Sequence, residues 1–315
     1  MPEKSKQNLT TVLLVLLVIG IAVALPVVQN RITSQAVCVI STSADSTPEE
    51  PEFNGQRAYQ DIATQLSFGP RYPGSDGHKA VIQWISRELE NNDWEITHQT
   101  LKIEGHTIHN LIAHHGEEEP EVIFGAHYDT RLWADNDPDP TQHGQPVPGA
   151  NDGASGVAVL LELARAIPPD AQSGTWLIFF DAEDQGRIAG WDWILGSTAF
   201  VETLQSKPQA VIIVDMIGDK DLNIYREKNS NAELSTQIWN QAAKLGYDDI
   251  FINAEKYSIL DDHTPFLNAD IPAVDLIDFD YPAWHTISDN LEQVSAESLQ
   301  AVGDTLLFWL LSRTN

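Results

Sequence analysis

Residues 175–184 read TWLIFFDAED, and the fold class can be inferred from them. The first six residues form an apolar run of strand length without polar alternation, which is typical of a strand covered by helices on both faces. Asp181, Glu183 and Asp184 follow where the strand would end. Ligands bind at the carboxyl ends of strands in open α/β sheets, so this stretch predicts a central strand with a site beside it.

The rest of the folded part alternates between helical and strand patterns. Apolar residues recur at three- and four-residue spacing in four segments, which predicts helices. Short apolar runs between them predict strands, and the first of these runs alternates as an edge strand does. The predicted helices are residues 79–91, 154–167, 232–245 and 296–313, and the further strands are 95–103, 110–114, 122–126, 210–214 and 273–277. The fold class that follows is α/β.

The charge of the chain excludes two classes of function. Its 315 residues include 46 acidic residues against 18 Lys and Arg, which gives a formal net charge of −28. No basic cluster is available to displace counterions from phosphates, so a nucleic-acid binder and broad docking on anionic lipid are both excluded. With 42% hydrophobic residues, a chain of this length can bury the core of one large domain.

The N-terminal segment indicates a signal anchor. Lys4 and Lys6 precede an apolar run that is long enough for a helix to cross the hydrocarbon layer, with the lysines in the cytoplasm. A cleaved signal peptide is the alternative, because Ala22 and Ala24 resemble a cleavage site, and the protein would then be secreted. The expected organisation is a cytoplasmic segment at residues 1–8, a membrane anchor at 9–28, a flexible linker at 29–55 and an extracytoplasmic folded domain at 56–315.

Several polar residues stand where predicted strands end or where a helix begins. Carboxylate and imidazole groups that converge from separate strand ends form a ligand set that suits zinc. Taken singly, Asp152 could be a helix cap, Asp215 a turn residue and His285 a loop histidine, but their common position favours one site. The paired acids Glu183 and Asp184 suggest that one binds metal and its neighbour moves protons. The residues concerned are His127, Asp129, Asp152, Asp181, Glu183, Asp184, Asp215 and His285.

Seven motifs spread over the chain from about residue 68 onward form an ordered series. They are GPRYPGS at 69–75, AHYDT at 126–130, PGAND at 148–152, FFDAED at 179–184, VDMIG at 214–218, DDHTPF at 261–266 and WHT at 284–286. In this order they resemble the zinc aminopeptidase-like exopeptidases, which include leucyl-type aminopeptidases and glutaminyl-peptide cyclotransferases (glutaminyl cyclases). The resemblance implies a single-domain three-layer sandwich with a mostly parallel mixed central sheet and a zinc site at the carboxyl ends of the strands.

The late motifs are similar to the cyclotransferase branch. Aminopeptidases of the family usually have Ser where this chain has Asp261, and another residue where it has Trp284 before the ligand histidine. Family members often have Glu-Glu in place of Glu183-Asp184, and this chain departs from them there. The roles that the resemblance implies are zinc ligands at Asp152, Asp184 and His285, catalytic groups at Glu183, Asp215 and Asp261, and pocket walls at Trp284, Tyr281 and either Trp191 or Trp193.

The implied activity is conversion of an N-terminal glutamine to pyroglutamate with release of ammonia, at one zinc ion. Peptide or protein N-termini would be the substrates. The alternative is a two-zinc aminopeptidase, in which His127 and Asp215 hold a second zinc and Asp152 bridges the pair. A metal-free receptor or scaffold is a third interpretation, which the filled ligand positions disfavour. Nothing in the sequence indicates an obligate protein partner, and a monomer is expected.

Overall fold

The structure is a computed structural model that describes residues 51–313, and eight strands are found in this part of the chain. In chain order they are β1 (Glu95–Ile103), β2 (His106–His114), β3 (Val122–His127), β4 (Thr175–Phe180), β5 (Ala210–Asp215), β6 (Ile224–Arg226), β7 (Phe251–Glu255) and β8 (Ala273–Ile277). Six of them form the central sheet in the order β1-β2-β4-β3-β5-β8. β6 and β7 pair separately as a short parallel ribbon.

The central sheet is mostly parallel. β4, β3, β5 and β8 pair in parallel, whereas β2 is antiparallel to both of its neighbours, β1 and β4. β1 lies at the edge of the sheet with no buried position, in agreement with the alternation of its sequence. The mixed, mostly parallel sheet that the family resemblance implies is therefore confirmed.

Helices cover the sheet on both faces. In chain order they are α1 (Gly55–Ser67), α2 (Asp76–Glu90), α3 (Ser155–Ala166), α4 (Pro169–Gln172), α5 (Leu195–Val201), α6 (Ala232–Leu245), α7 (Thr264–Asn268) and α8 (Ala296–Leu311). α1, α2, α3, α6 and α8 contribute to the larger apolar core on one face, and α5 and α7 contribute to the smaller core on the other. The predicted α/β sandwich of three layers is confirmed.

The two central strands β3 and β5 are buried at every position. Their side chains point alternately to the two faces, so Phe124 and Ile212 enter the larger core while Ile123 and Ile213 enter the smaller one. Burial on both faces favours continuous apolar runs and leaves no solvated side to the strand. The carboxyl ends of β3 and β5 are consequently held at fixed positions by packing on both sides.

The position of β3 creates a crevice at the carboxyl edge of the sheet. The chain passes from β3 to β4 on one side and then returns to β5 on the other side of β3. Connections that leave in opposite directions open a gap above the strand ends, which is where ligands bind in folds of this kind. His127 is the last residue of β3 and Asp215 is the last residue of β5, so both point to this crevice edge.

A glycine lets α3 pack closely on β5. A Cβ atom added at Gly156, in the first turn of α3, would lie 2.3 Å from the carbonyl oxygen of Val214. No side chain fits there, so a larger residue would push the helix away from the strand. The close approach brings the loop before α3, which contains Asp152, beside the end of β5.

Some elements differ from those predicted. β1, β4, β8 and α6 have the predicted bounds, whereas α1, α4, α5, α7, β6 and β7 are not among the predicted elements. Most of these are three to seven residues long, too short for a periodic pattern to show. Phe53 is buried and Asn54 caps α1, so both lie in the fold although they belong to the segment predicted as a linker.

The predicted cytoplasmic segment, the anchor and most of the linker lie outside the described residues. Within residues 51–313, none of the helices has the length and apolar character needed to cross a membrane. The anchor at residues 9–28 and its cleaved alternative stay predictions.

Candidate active site

A cavity of about 310 Å³ opens at the carboxyl edge of the sheet. Loops after five different strands and the loop before α3 contribute side chains to it, so residues far apart in sequence meet there. Six of the residues that line it were predicted from the sequence as metal ligands or catalytic groups at one site. They are Asp152, Glu183, Asp184, Asp215, Asp261 and His285.

Asp152 lies between two histidines. Its Oδ1 is 3.3 Å from Nε2 of His127, and its Oδ2 is 3.7 Å from Nε2 of His285. On the far sides, Nε2 of His127 is 3.0 Å from Oδ1 of Asp215, and Nε2 of His285 is 2.8 Å from Oδ1 of Asp184. Two groups of three possible ligands result, one around each histidine, and they share Asp152.

The segment that contains Asp152 is fixed by two buried residues. The guanidinium of Arg71 donates to the carbonyl oxygens of Pro148 and Gly149, at 2.9 and 2.6 Å. The carboxylate of Asp289 accepts the backbone N–H of Asn151 at 2.8 Å and that of Asp152 at 3.2 Å. Because its backbone is held from both sides, the Asp152 side chain is free to face the cavity.

Asp152 does not cap α3, which was the alternative explanation for it. The N-cap position of this helix is Ala154, and no side chain caps the helix there. Oδ2 of Asp152 and Oδ2 of Asp184 are both buried without a hydrogen-bond partner in the described part of the chain. Buried carboxylate oxygens need a compensating charge or donor. The group of Asp152, Asp184 and His285 therefore fits a divalent cation, and its mixed oxygen and nitrogen donors are those that zinc accepts.

Asp129 connects the ends of β3 and β4. Its Oδ1 lies 3.5 Å from Nδ1 of His127 and also accepts the backbone N–H of Glu183 at 3.0 Å. Its Oδ2 accepts a hydrogen bond from Nε2 of Gln185 at 3.0 Å. The residue is fully buried, so these contacts fix the imidazole of His127 and the backbone of the acid pair relative to each other.

Burial changes the proton affinities of the acids in the cavity. It raises the pKa of Glu183 well above its usual range, and the negative charge of Asp261 raises it further. Burial also raises the pKa of Asp184 to about 6 and that of Asp215 to about 7, although His285 and His127, respectively, act in the opposite direction. Carboxyl groups with pKa values in this range are suited to holding and moving a proton near neutral pH.

Burial acts on the pKa of His127 in the opposite direction, and the surrounding carboxylates outweigh it. Burial lowers its pKa, but the charge of Asp215 and the close carboxylates of Asp129, Asp152 and Asp215 outweigh burial and raise the pKa well above its usual range. His127 is therefore favoured as an imidazolium that donates to the carboxylates around it.

Three residues of the site, namely two neighbours of its acids and the second histidine itself, have left-handed backbone conformations. Ala182 precedes Glu183, Met216 follows Asp215, and both have positive φ, at 55° and 47°. His285 itself has a φ of 56°. Such conformations are unfavourable for residues other than glycine and concentrate at functional sites, where the surrounding structure imposes them. The strain is consistent with side chains aimed into the cavity at the expense of backbone stability.

The comparison with known proteins agrees with this geometry. A sequence profile described as "Peptidase family M28" matches residues 110–310, more than half of the chain. The chain belongs to peptidase family M28. A glutaminyl cyclase from Porphyromonas gingivalis superimposes with a TM-score of 0.78 at 34% identity, covering 83% of this chain and 99% of that one. A Zn-dependent exopeptidase from Parabacteroides distasonis superimposes with a TM-score of 0.77 at 33% identity, covering 82% and 98%.

A curated relative gives the same result in sequence alone. The glutaminyl-peptide cyclotransferase of Boiga irregularis is 25% identical over 291 aligned residues, with 78% of each chain covered. The resemblance predicted from the seven motifs is thus confirmed at the level of the family. Both branches of that resemblance, cyclases and exopeptidases, are represented among these similar proteins.

Two tryptophans line the cavity of this M28 chain beside the second histidine. The Trp193 ring stacks on the His285 ring with centroids 6.1 Å apart, and the Trp284 ring lies 4.0 Å from the same imidazole. Trp193, which was the alternative to Trp191, is therefore the wall residue. Trp191 stacks on His106 at 3.5 Å and lines a different groove.

Tyr281 and Asp181 were also predicted at the site, and both are turned away from the cavity. Tyr281 is buried behind it, and its hydroxyl donates to Oδ1 of Asp289 at 2.7 Å. Asp181 pairs with Nε2 of His78 at 2.7 Å and accepts the backbone N–H of His109 at 2.8 Å. Both support the site: Tyr281 through Asp289, and Asp181 by joining the end of β4 to β2 and α2.

Sequence reasoning missed a buried arginine at the site. Arg131 donates Nε and Nη2 to the carboxylate of Asp135, at 2.7 and 2.6 Å. Its Nη1 donates to the carbonyl oxygens of Asp184 and Gly186, at 3.1 and 3.2 Å. Arg131 directly follows the AHYDT motif. That position was the one signal in the sequence that could have singled it out.

Proposed function

We propose that the protein is a zinc-dependent glutaminyl-peptide cyclotransferase, which converts an N-terminal glutamine to pyroglutamate and ammonia. The observation that supports this best is the convergence of Glu183, Asp215 and Asp261 in a small cavity beside the Asp152, Asp184 and His285 group. Three acids are well placed to hold a substrate amine. The 34% identity to a glutaminyl cyclase along most of the chain supports the same assignment.

One zinc ion is proposed at Asp152, Asp184 and His285. Bound there, it would supply a Lewis acid for the carbonyl oxygen of the substrate's γ-carboxamide. Asp215 and Asp261 accept hydrogen bonds from the substrate's α-amine and hold it toward the γ-carbon. Because the amine and the amide belong to one molecule, correct orientation lowers the barrier by removing the entropy cost of an encounter.

Glu183 is proposed to transfer the proton. It accepts a proton from the α-amine as the amine nitrogen forms a bond to the γ-carbon, and it returns that proton to the amide nitrogen as the carbon–nitrogen bond breaks. Ammonia leaves, and the ring closes as a lactam with no net gain or loss of protons at Glu183. Its raised pKa favours the protonated state that the second half of the reaction needs.

The indole walls are proposed to exclude water. Trp193 and Trp284 flank His285, next to the place where the carboxamide would lie. Water that reached the γ-carbon would hydrolyse the amide to glutamate instead of allowing cyclisation. An apolar wall beside the metal ligands favours attack by the substrate's own amine.

A two-zinc aminopeptidase is the second candidate, and one observation favours it. His127, Asp152 and Asp215 form a second complete group of possible ligands, with Asp152 shared between the groups. The pKa of His285 is raised by neighbouring carboxylates as that of His127 is, so the protonation of the histidines does not separate the two candidates. Metal analysis separates the two: about one zinc per chain is expected for the cyclase and about two for the peptidase.

Activity is tested with purified full-length protein and two peptides that differ only in the first residue, glutamine or leucine. Loss of one ammonia from the glutamine peptide, with the leucine peptide intact, is expected from the cyclase. Shortening of either peptide by its first residue would overturn the proposal in favour of the aminopeptidase. Mass analysis distinguishes these products directly.

A further inference from the structure

The cavity is acidic inside and has a free cation at its edge. Among the described residues, two arginines line it, Arg131 and Arg187. Arg131 is buried and engaged with Asp135 and two carbonyl oxygens. Arg187 is exposed and has no ion-pair or hydrogen-bond partner within the described part of the chain. Its guanidinium is therefore available to a ligand.

The backbone at Arg187 is in a conformation that arginine adopts only at a cost. Residues 185–188 form a turn closed by a bond from the N–H of Ile188 to the carbonyl oxygen of Gln185, at 3.1 Å. Arg187 is the third residue of this turn, with a φ of 63°. Gly and Asn are favoured at such a position. The exposed side chain of Arg187 gives no packing in return for this cost.

The turn is firmly attached to the metal-binding group. Nη1 of Arg131 donates to the carbonyl oxygens of Asp184 and Gly186, on either side of Gln185. A Cβ atom added at Gly186 would lie 2.1 Å from the Trp193 ring, so the indole packs flat against this glycine. Arg187 is thus held three residues after Asp184, at a fixed place on the cavity edge.

The acids that bind the substrate amine determine which residue of a bound substrate lies next to Arg187. The first residue of the substrate would lie inside, with its amine at Glu183, Asp215 and Asp261. The rest of the peptide must then leave through the opening, where exposed residues such as Leu260 and Arg187 form the edge. The second residue of the substrate is the first to reach this edge.

We propose that Arg187 binds a carboxylate of the substrate's second residue and so selects substrates that have a negative charge directly after the N-terminal glutamine. The inference rests on the proposed function of the site. The carboxylate can belong to an Asp or Glu side chain, or to the terminal carboxylate of a dipeptide, and the guanidinium recognises both by the same paired hydrogen bonds. Without Arg187, the six cavity acids and a net charge of −28 would disfavour such substrates.

The test compares kcat/KM for three amidated peptides, Gln-Glu-Ala, Gln-Gln-Ala and Gln-Lys-Ala, which differ in the charge at the second position. In Arg187→Asn, the ratio of the first peptide to the second is expected to fall by about three- to tenfold, in the range of a partly exposed charge-assisted contact. Asn favours the left-handed backbone, so this variant should fold at least as well as the parent. Arg187→Glu should further shift the preference to the lysine peptide.

Arg87→Glu is the matched control. Arg87 is exposed on α2 and does not line the cavity, and the change in net charge equals that of Arg187→Glu. The peptide ratios of this variant should stay at the parent values. A second pair of substrates, the Gln-Ala dipeptide as free acid and as amide, shows whether a terminal carboxylate also depends on Arg187.

Failure of this inference is distinguishable from failure of the proposed function. Ammonia release from all three peptides, with equal ratios in the parent and in Arg187→Asn, would overturn the role of Arg187 and leave the cyclase intact. Release of the first residue in place of ammonia would overturn the cyclase. In that case the same kcat/KM ratios are measured for release of the first residue. A lower ratio of the glutamate peptide to the glutamine peptide in Arg187→Asn, but not in Arg87→Glu, would still support the carboxylate contact. Equal ratios in the parent and in Arg187→Asn would overturn it.

Discussion

Oδ1 of Asp135 lies 3.6 Å from Nδ1 of His285, while Nε2 of the same imidazole lies 2.8 Å from Oδ1 of Asp184. The imidazole is therefore placed between a possible metal ligand on one side and a carboxylate on the other. A carboxylate behind a ligand histidine fixes its tautomer and increases its basicity. The bidentate pair with Arg131 holds Asp135 in this position.

Replacing Asp135 should weaken zinc binding. In Asp135→Asn the dissociation constant for zinc is expected to rise by about 10- to 100-fold, because His285 loses the charge that orients it. Competition with a chromophoric chelator measures this without reference to turnover. Asp139→Asn is the control, since Asp139 is exposed on the same loop and its carboxylate accepts hydrogen bonds from Thr141. Equal zinc affinities in the two variants would contradict the role of Asp135.

Replacing Glu183 should abolish turnover and leave the metal bound. In Glu183→Gln the loss in kcat is expected to be at least about 10²-fold, because glutamine cannot accept and return a proton. Zinc content should equal that of the parent, since Glu183 is not a member of either group of possible ligands. Ammonia release together with metal analysis checks both halves. Substantial remaining activity would refute the proton transfer by Glu183.

The two neighbouring tryptophans should differ in effect. Trp193→Ala opens the wall beside His285 and should lower kcat/KM by about tenfold, partly through admitted water. Trp191→Ala removes an indole that packs on His106 outside the cavity and should leave kcat/KM within about twofold of the parent. Thermal melts of both variants control for folding. A larger loss in Trp191→Ala would reverse the assignment of the wall residue.

The different positions of Trp191 and Trp193 show which side chains could not be placed from the sequence. Acids at the ends of β3, β4 and β5 could be placed because continuous apolar runs mark buried strands and parallel strands end at one edge. Residues 181–194 are irregular, with left-handed conformations at Ala182, Arg187 and Ile194, and no periodic pattern reports the direction of a side chain in such a segment. The sequence therefore left open whether Trp191 or Trp193 lines the cavity.

The contact between Asp135 and His285 could not be predicted from the sequence, for a different reason. The two residues are 150 positions apart in the sequence, and neither spacing nor hydrophobic pattern relates the loop of one to the loop of the other. Their approach depends on backbone contacts such as the bond from the N–H of Asn136 to the carbonyl oxygen of His285, at 3.2 Å. Contacts of this kind follow from tertiary packing and leave no local signal.

Glu227 should stabilise the protein in a pH-dependent way. Its Oε2 accepts the N–H groups of Asn229 and Ser230 at 2.9 and 2.7 Å, and its Oε1 accepts the N–H of Ile259 at 2.9 Å. Its Oε2 also lies 3.3 Å from Nε2 of His263, so Glu227 holds the segment that contains Asp261. Burial raises the pKa of Glu227, but His263 and the backbone donors outweigh burial and lower the pKa to about 2.

The pH dependence follows from this lowered pKa. Since the folded pKa lies below the unfolded value of about 4.3, the stabilisation is complete above the unfolded value and is lost as the pH falls toward 2. Glu227→Gln keeps the shape but not the charge, and it should reduce the free energy of unfolding by roughly 2 kcal/mol at pH 7 and by progressively less below pH 4. Urea unfolding from pH 3 to 7 measures the difference, with the exposed Glu255→Gln as control. A constant difference across that range would show that the charge of Glu227 is not what stabilises the loop.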